Sequence, residues 1–288
     1  MNGEAAVSVA GVIDDATARI VAALGLPRRD ARLDARVLAA HVLGVDAAWL
    51  IAHDTDLLSA QQTRAYQTLL ARRLHGSPIA YLIGSREFFG RPFRVSPDVL
   101  IPRPDTERLI ELALAQIPPD QAVDVLDLGT GSGCIAITLA RECPLARVTA
   151  VDRSPAALAI AQRNAESLGA YVEFLASDWF SALAGRRFDL VVSNPPSLAA
   201  ADAHLAQGDV RFEPLSALAA GPDGLDDLRH LIAAACAHLQ PGGTLLLEHG
   251  YDQAEAIRTL LQQNCIPFPR SWNDLSGIPR VSGGKLSE

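Results

Sequence analysis

The sequence has few cysteines and no long apolar run, and each shortage excludes a class of protein. The cysteines show no metal-type spacing, so we interpret them as small buried hydrophobic residues in a reducing compartment. They are Cys134, Cys143, Cys236 and Cys265. No apolar stretch approaches the length of a membrane span, and the acidic N-terminus lacks the basic segment of a signal peptide. We therefore expect a soluble cytoplasmic protein without a metal.

Basic side chains are outnumbered by acidic ones. The formal net charge is −8, and Lys285 is the only lysine. Binding to bulk nucleic acid needs a basic face, so this balance argues against direct contact with nucleic acid. We attribute the preference for arginine over lysine to genome composition.

The first part of the chain predicts a small helical bundle. Between residues 10 and 75, apolar residues recur at helical spacing and no strand pattern interrupts them. Gly25, Gly44 and Gly76 follow periodic segments, and Ser59 can cap a helix. We assign residues 1–76 to this domain, which carries too little chemistry to be catalytic by itself.

Prolines and glycines then punctuate short strand-like runs between residues 77 and 107, which predicts a hairpin and a linker. The linker ends in Pro102-Arg103-Pro104-Asp105-Thr106-Glu107, where Asp105 or Thr106 can cap the next helix. Arg103, held stiffly between two prolines, either pairs with a carboxylate or lines a cofactor or substrate pocket. Both interpretations stay open.

Strand and helix patterns alternate from residue 122 onward, which predicts a parallel sheet with crossover helices. We assign residues 108–288 to this α/β domain. The predicted strands are 123–128, 147–151, 171–175, 188–192 and 244–248, and residues 267–281 can add edge strands. The predicted helices are 135–141, 155–168, 224–239 and 252–263.

Three consecutive strand ends offer a nucleoside site. The loop Gly129-Thr130-Gly131-Ser132-Gly133 joins a strand to a helix, where backbone N–H groups can approach a ligand. Asp152 ends the next strand, where a carboxylate can accept both ribose hydroxyls. Asp178 and Trp179 end the third strand and can border an adenine. The loop lacks the Gly-x-Gly-x-x-Gly spacing of a dinucleotide site.

The fourth strand runs into Asn194-Pro195-Pro196-Ser197. The prolines fix φ, remove two backbone donors and bias Asn194 toward an extended backbone. The result is a stiff turn at the carboxyl end of a strand, where ligands bind in open α/β sheets. Such a turn can hold a planar amide or amidine group by hydrogen bonds.

These motifs resemble a known family. The glycine loop resembles the first motif of class I S-adenosylmethionine-dependent methyltransferases, and Asn194-Pro195-Pro196 resembles the turn of their amino-methylating subgroup. Together with these motifs, runs at 81–84, 100–107, 177–180, 208–214 and 248–250 resemble the HemK/PrmC family of release factor N5-glutamine methyltransferases. The resemblance covers nearly the whole chain.

The resemblance implies a Rossmann-like methyltransferase sheet, S-adenosyl-L-methionine as cofactor and peptide chain release factors as partners. The helical domain would dock the release factor, and the glutamine of its Gly-Gly-Gln motif would accept the methyl group. Asn194 and Pro195 would be catalytic, accepting the two amide N–H bonds. Pro196 and Ser197 would also bind substrate. The cofactor would contact Gly129, Thr130, Gly131, Ser132, Gly133, Asp152, Asp178, Trp179 and Asn194. We expect a monomer.

Ser197 departs from the pattern, because this position is usually aromatic in the family. A compensating ring, an altered acceptor and reduced activity all remain open explanations. Ser197 thus leaves open a weakly active or non-catalytic protein that binds release factors. A second alternative is an adenine-N6 nucleic-acid methyltransferase, because the same Asn-Pro-Pro turn can orient an exocyclic amine, but the acidic charge and the small helical N-terminus disfavour it. For Glu248 and His249 we prefer a structural role over acid–base work.

Overall fold

The computed structural model of the protein describes residues 7–287, and its internal contacts divide the chain into two units, Met1–Gly84 and Ser85–Glu288. Residues 1–6 and 288, at the outer ends of the predicted segments 1–76 and 108–288, lie outside the described residues. Each unit has its own hydrophobic core.

The first unit is helical, as predicted. Its helices are α1 (Val9–Leu24), α2 (Arg28–Leu43), α3 (Ala47–Ala52), α4 (Ala60–Leu74) and α5 (Ile79–Ile83). Ser59 begins α4 with a reciprocal capping box, in which Gln62 is the partner. The fully buried Tyr66 side chain lies in the core and donates its hydroxyl to the carbonyl of Ala35 at 3.1 Å. Its buried polar atom is thereby satisfied.

The second unit begins with the predicted hairpin and continues as an α/β domain. Its strands are β1 (Ser85–Phe88), β2 (Arg91–Arg94), β3 (Asp124–Leu128), β4 (Arg147–Asp152), β5 (Val172–Ala176), β6 (Phe188–Ser193), β7 (Leu239–Glu248), β8 (Arg270–Asn273) and β9 (Pro279–Lys285). Its helices are α6 (Thr106–Leu114), α7 (Cys134–Glu142), α8 (Pro155–Leu168), α9 (Asp226–His238) and α10 (Ala254–Asn264). Short 3-10 turns cover Ala203–Ala206, Val210–Phe212 and Leu215–Ala217.

The large sheet has the order β5-β4-β3-β6-β7-β9-β8. Strands β3 to β7 pair in parallel, and the two tail strands add antiparallel to the β7 edge. The predicted α/β class with tail edge strands is thus confirmed. The chain leaves β3 toward β4 on one side, and β6 lies on the other side of β3. Parallel sheets open a ligand crevice at the carboxyl ends of strands at such a switch point.

Both faces of the sheet are covered, which explains why its central strands are almost wholly apolar. In β3, Val125 belongs to the core on one face, with the first residues of α7, while Leu126 and Leu128 belong to the core on the other face, with α9 and α10. Asp127 is the fully buried charged residue in this strand. Asp127 lies two residues before the glycine loop 129–133, so the buried core extends up to that loop.

Two details differ from the sequence predictions. Strand β7 begins at Leu239, five residues before the predicted start at 244, because Leu239 already pairs with Phe188 of β6 and the register then shifts before Thr244 pairs with Leu190. Cys236 and Cys265 form a disulfide with a Cα–Cα distance of 5.9 Å. Our interpretation of these two cysteines as unpaired was therefore wrong, because α9 and α10 pack side by side and bring them together. Cys134 and Cys143 are free thiols.

Candidate active site

A cavity of about 290 Å³ opens at the carboxyl ends of β3, β4, β5 and β6. It brings together most of the predicted site residues: Gly129, Thr130, Gly131, Ser132, Asp152, Asp178, Trp179, Asn194 and Pro196. Three predicted site residues, Gly133, Pro195 and Ser197, are not among the residues that line it.

The glycine loop is held against the strand ends by the backbone. The N–H groups of Gly129 and Thr130 both donate to the carbonyl of Val151 at 2.9 Å. Gly129 and Gly131 have φ values of 73° and 55°, a left-handed region that favours glycine. A Cβ on Gly131 would meet no protein atom within 4 Å, so its open side faces the cavity.

The third glycine of the motif has a packing role. Gly133 precedes α7 with a φ of 82°, and a Cβ there would lie 2.7 Å from Ile137 and 3.1 Å from Ala161. The absence of a side chain lets α7 and α8 approach each other. Gly133 therefore affects the loop through the packing of α7 against α8 and does not line the cavity.

Asp127 supports the loop from below. Its Oδ2 accepts hydrogen bonds from the Thr130 hydroxyl at 2.6 Å and from the Ala136 N–H at 3.2 Å. Burial raises the pKa of Asp127 to about 7, although both hydrogen bonds oppose the shift. Asp127 thereby links β3, the loop and the first turn of α7.

Asp152 ends β4 and faces the cavity. Its Oδ2 accepts the N–H of Gly131 at 2.9 Å, and its Oδ1 accepts the N–H of Ser154 at 2.8 Å. A carboxylate oxygen has a second lone pair, so Asp152 can accept two hydroxyl groups while it keeps both backbone contacts.

Trp179 forms an aromatic wall next to the glycine loop. A Cβ on Gly129 would lie 3.2 Å from the Trp179 ring, so the glycine permits this close approach. Trp179 has a positive φ of 50°, which is rare for a bulky residue. The Ser177 hydroxyl fixes this turn by donating to the Trp179 carbonyl at 2.7 Å. Such backbone strain is typical of functional sites.

The Asn-Pro-Pro turn is anchored on both sides. Before it, the Ser193 hydroxyl donates to the carbonyl of Leu128 at 2.7 Å. After it, the Ser197 N–H donates to Leu218 at 3.1 Å, and the Gln253 side chain donates to the Ser197 carbonyl at 2.8 Å. Asn194 is thereby fixed at the mouth of the cavity.

Asn194 also takes part in a hydrogen-bond chain that the sequence analysis missed. Its Nδ2 donates to the hydroxyl of Thr106 at 3.2 Å, and that hydroxyl donates to Glu248 Oε1 at 3.2 Å. Burial raises the pKa of Glu248 to about 7. The adjacent His249 instead contacts the Gly250 carbonyl and the Ser282 hydroxyl, both at 2.8 Å, and does not line the cavity.

Arg103 satisfies both of the interpretations left open by the sequence. It lines the cavity and forms an ion pair with the buried carboxylate of Glu213. Glu213 also accepts the N–H of Ile101 at 3.0 Å. The pKa of Glu213 is raised by burial, and the Arg103 charge opposes that shift. The runs 100–107 and 208–214, far apart in sequence, therefore meet at one wall of the cavity.

The apolar part of the cavity wall was not predicted. It comes from the linker before α6, from the start of α7 and from the segment after Glu213: Pro97, Val99, Leu100, Pro102, Ile135, Pro214 and Ala217. These residues carry no pattern that distinguishes them from core or loop residues. Only the fold brings them together.

Among solved structures, the chain is similar to a methyltransferase from Pyrococcus furiosus, with a TM-score of 0.54, 17% identity and coverage of 77% of this chain and 100% of that one. It is also similar to the 16S rRNA N2 G1207 methyltransferase of T. Thermophilus, with a TM-score of 0.53 and 24% identity. That match covers 70% of this chain but only 49% of the other. These likenesses show a shared fold.

Sequence comparisons are more specific. Residues 13–84 match the PrmC N-terminal domain, and residues 108–209 match the methyltransferase small domain. A release factor glutamine methyltransferase of Bordetella pertussis is 55% identical over 91% of this chain and 96% of its own length. The relative of the same name in Burkholderia pseudomallei is 52% identical, covering 88% and 92% of the two chains. The chain belongs to the release factor glutamine methyltransferase family.

Proposed function

We propose that this protein transfers a methyl group from S-adenosyl-L-methionine to the side-chain amide nitrogen, N5, of the glutamine in the Gly-Gly-Gln motif of peptide chain release factors. Family membership supports this proposal. The observation that carries it is a single cavity where the glycine loop, Asp152 and Asn194 converge. The strand ends proposed to bind the nucleoside and the turn proposed to bind the amide thus face the same cavity.

The cavity fits the cofactor. Gly131 leaves open space on its cavity side, and Asp152 has free lone pairs for two ribose hydroxyls. Trp179 offers an aromatic face beside Gly129, and Asp178 a carboxylate at the same strand end. When bound, S-adenosyl-L-methionine supplies a methyl group on a positively charged sulfur.

The chain's own contribution to chemistry is to hold the acceptor amide. A glutamine amide nitrogen is a weak nucleophile because its lone pair is delocalised. In this proposal the Asn194 Oδ1 accepts one N–H bond at the cavity wall, and the backbone carbonyl of Pro195 accepts the other, although Pro195 is not among the residues that line the cavity. Together they fix the nitrogen in one direction. Orientation of this kind lowers the barrier, and acceptors that are already fixed in place need no reorganisation during transfer. No strong base is needed beforehand, because the proton can leave after transfer.

The N-terminal segment 1–76 is proposed to dock the release factor, with 77–107 as hairpin and linker and 108–288 as the methyltransferase domain. Exposed apolar side chains on the first unit support a docking role: Leu33 is 62%, Ile51 66% and Leu57 65% exposed. Within residues 7–287, no helix is long and apolar enough to cross a membrane. We propose a cytoplasmic monomer that does not contact nucleic acid directly.

The test is transfer of a labelled methyl group from the cofactor to three acceptors in parallel: a purified release factor, DNA and RNA. The proposal predicts label in the release factor only, and none when its Gly-Gly-Gln glutamine is replaced. Label in DNA or RNA would favour the adenine-N6 alternative. A cofactor-bound protein that labels none of them would refute the proposed activity.

A further inference from the structure

Asn194, Thr106 and Glu248 form a chain of side chains that leads from the cavity into the core. Thr106 is the first residue of α6 and 2% exposed, and Glu248 is the last residue of β7 and 8% exposed. The two hydrogen bonds, Asn194 to Thr106 and Thr106 to Glu248, both measure 3.2 Å. Glu248 Oε2 has no partner among the described residues. Within the described residues, the Thr106 hydroxyl is therefore the side-chain hydrogen-bond partner of this buried carboxylate.

The proton count of the chain fixes the direction of each hydrogen bond. An ionised carboxylate only accepts, and a threonine hydroxyl has one proton. When Glu248 is ionised, Thr106 must give that proton to Glu248, so the Thr106 oxygen can only accept from Asn194. The Asn194 NH₂ group must then face Thr106. Its carbonyl oxygen, Oδ1, is left on the other side of the amide.

We propose that Thr106 and Glu248 are positioning residues that orient the Asn194 amide, so that Oδ1 and not the NH₂ group meets the acceptor. This inference rests on the proposed function, in which Oδ1 accepts an N–H bond of the glutamine. If the Asn194 amide were flipped, its NH₂ group would face the N–H group of the glutamine, and two donors form no hydrogen bond. The hydrogen bonds to Thr106 and Glu248 thus favour the orientation of Asn194 that can hold the acceptor.

Protonation of Glu248 removes the constraint. A protonated carboxyl has its own O–H, which can donate to Thr106 and free the threonine proton for Asn194 Oδ1. Burial raises the pKa of Glu248 to about 7, so this exchange falls near neutral pH. The productive orientation is held above this pKa and is lost as pH falls through it. Methyl transfer should therefore decline on the acid side of neutrality.

The charges around Glu248 come from several elements. Burial is the largest influence on its pKa and raises it, whereas the Thr106 hydrogen bond lowers it. Asp105, just before α6, raises the pKa, while Arg280 on β9 and Arg103 in the linker lower it. The buried Cys134 thiol at the start of α7 is also coupled to Glu248, and its pKa is raised to about 12, mainly by burial.

The kinetic test compares Thr106→Val, which removes the hydroxyl, with Thr106→Ser, which keeps it. Thr106→Val should lower kcat roughly 10- to 100-fold, the scale of a misplaced catalytic group, and should change kcat by a larger factor than the cofactor Kd. Thr106→Ser should restore most of kcat. Thr138→Val is the matched control, because Thr138 is a fully buried threonine whose hydroxyl has no partner within the described residues. An unchanged kcat in Thr106→Val would overturn the proposal.

A second readout does not depend on activity. The side-chain amide signal of Asn194 is assigned by its loss in Asn194→Ala and is followed by NMR from about pH 6 to about pH 8.5, around the region where Glu248 titrates. The signal should shift with a midpoint near 7 in the wild type and stay constant in Glu248→Gln. If the Asn194 amide signal of the wild type did not shift with pH, the proposed orientation of Asn194 by Thr106 and Glu248 would be overturned. A wild type that titrates but never methylates a release factor would instead refute the proposed function alone.

Discussion

The carboxylate of Asp152 accepts a hydrogen bond from the backbone N–H of Gly131 at 2.9 Å. The residue proposed to bind the ribose therefore also holds the middle glycine of the loop. Its other oxygen accepts the N–H of Ser154, just before α8. One side chain thus couples the end of β4 to the loop after β3, and a change at this position affects both cofactor contact and loop shape.

Asp152→Asn should weaken binding of S-adenosyl-L-methionine about 10- to 100-fold. Hydrogen bonds to a charged group contribute roughly 1.5–3 kcal/mol, and the amide keeps one acceptor oxygen for the backbone. Isothermal titration calorimetry measures the effect. Asp223→Asn is the control, because that carboxylate pairs with Arg229 on the exposed surface. Equal affinity in Asp152→Asn and the wild type would exclude Asp152 from the cofactor site.

The pair Gly131→Ala and Gly133→Ala should separate binding from folding. Both residues have a positive φ, so both variants carry backbone strain. Gly131→Ala adds a methyl group to the cavity and should mainly reduce cofactor affinity. Gly133→Ala adds a methyl group 2.7 Å from Ile137 and should lower the free energy of unfolding by about 1–3 kcal/mol beyond that strain.

Urea unfolding without cofactor and calorimetry with cofactor measure the two effects. If Gly133→Ala proved as stable as Gly131→Ala, the packing role of Gly133 would be wrong. If Gly131→Ala bound cofactor like the wild type, the loop would not border the cofactor.

Arg103→Ala should destabilise the protein by about 1–3 kcal/mol near pH 8. Removing one partner of a buried pair leaves an uncompensated charge, and the value is reduced here because the Arg103 side chain is 35% exposed while that of Glu213 is fully buried. The raised pKa of Glu213 in the fold means that its ionised form opposes folding. The deficit should therefore grow as pH rises and shrink as pH falls.

Denaturant unfolding at several pH values checks this dependence. Arg108→Ala, which breaks an exposed pair with Glu111, should change stability by less than about 0.5 kcal/mol at any of them. A pH-independent deficit in Arg103→Ala would show that Glu213 is not the group left unpaired.

Ser197→Tyr should raise kcat no more than a few-fold. Although the family pattern favours an aromatic residue here, the backbone of the turn is already fixed by Leu218 and Gln253. Steady-state kinetics with a release factor measures the change. A near-inactive wild type that Ser197→Tyr strongly activates would favour the non-catalytic alternative.

The sequence was most informative where one local pattern determines the structure. Strand periodicity and the loop 129–133 predicted where the cavity lies, because the carboxyl ends of neighbouring parallel strands must lie at the same edge of the sheet. It was least informative where the structure depends on distant partners. Thr106 and Glu248 lie 142 residues apart. The local sequence explains Thr106 as a helix cap and Glu248 as a strand end, so neither residue indicates the contact between them. The disulfide between Cys236 and Cys265 likewise depends on how α9 and α10 pack.

The most direct test of the central claim is the intact mass of a release factor after incubation with this protein and S-adenosyl-L-methionine, followed by fragmentation to locate the change. We predict a gain of one methyl group on the side chain of the Gly-Gly-Gln glutamine, and none with Asn194→Ala under the same conditions. An unmodified release factor in the presence of folded, cofactor-bound wild type, or a methyl group on another residue, would contradict the account.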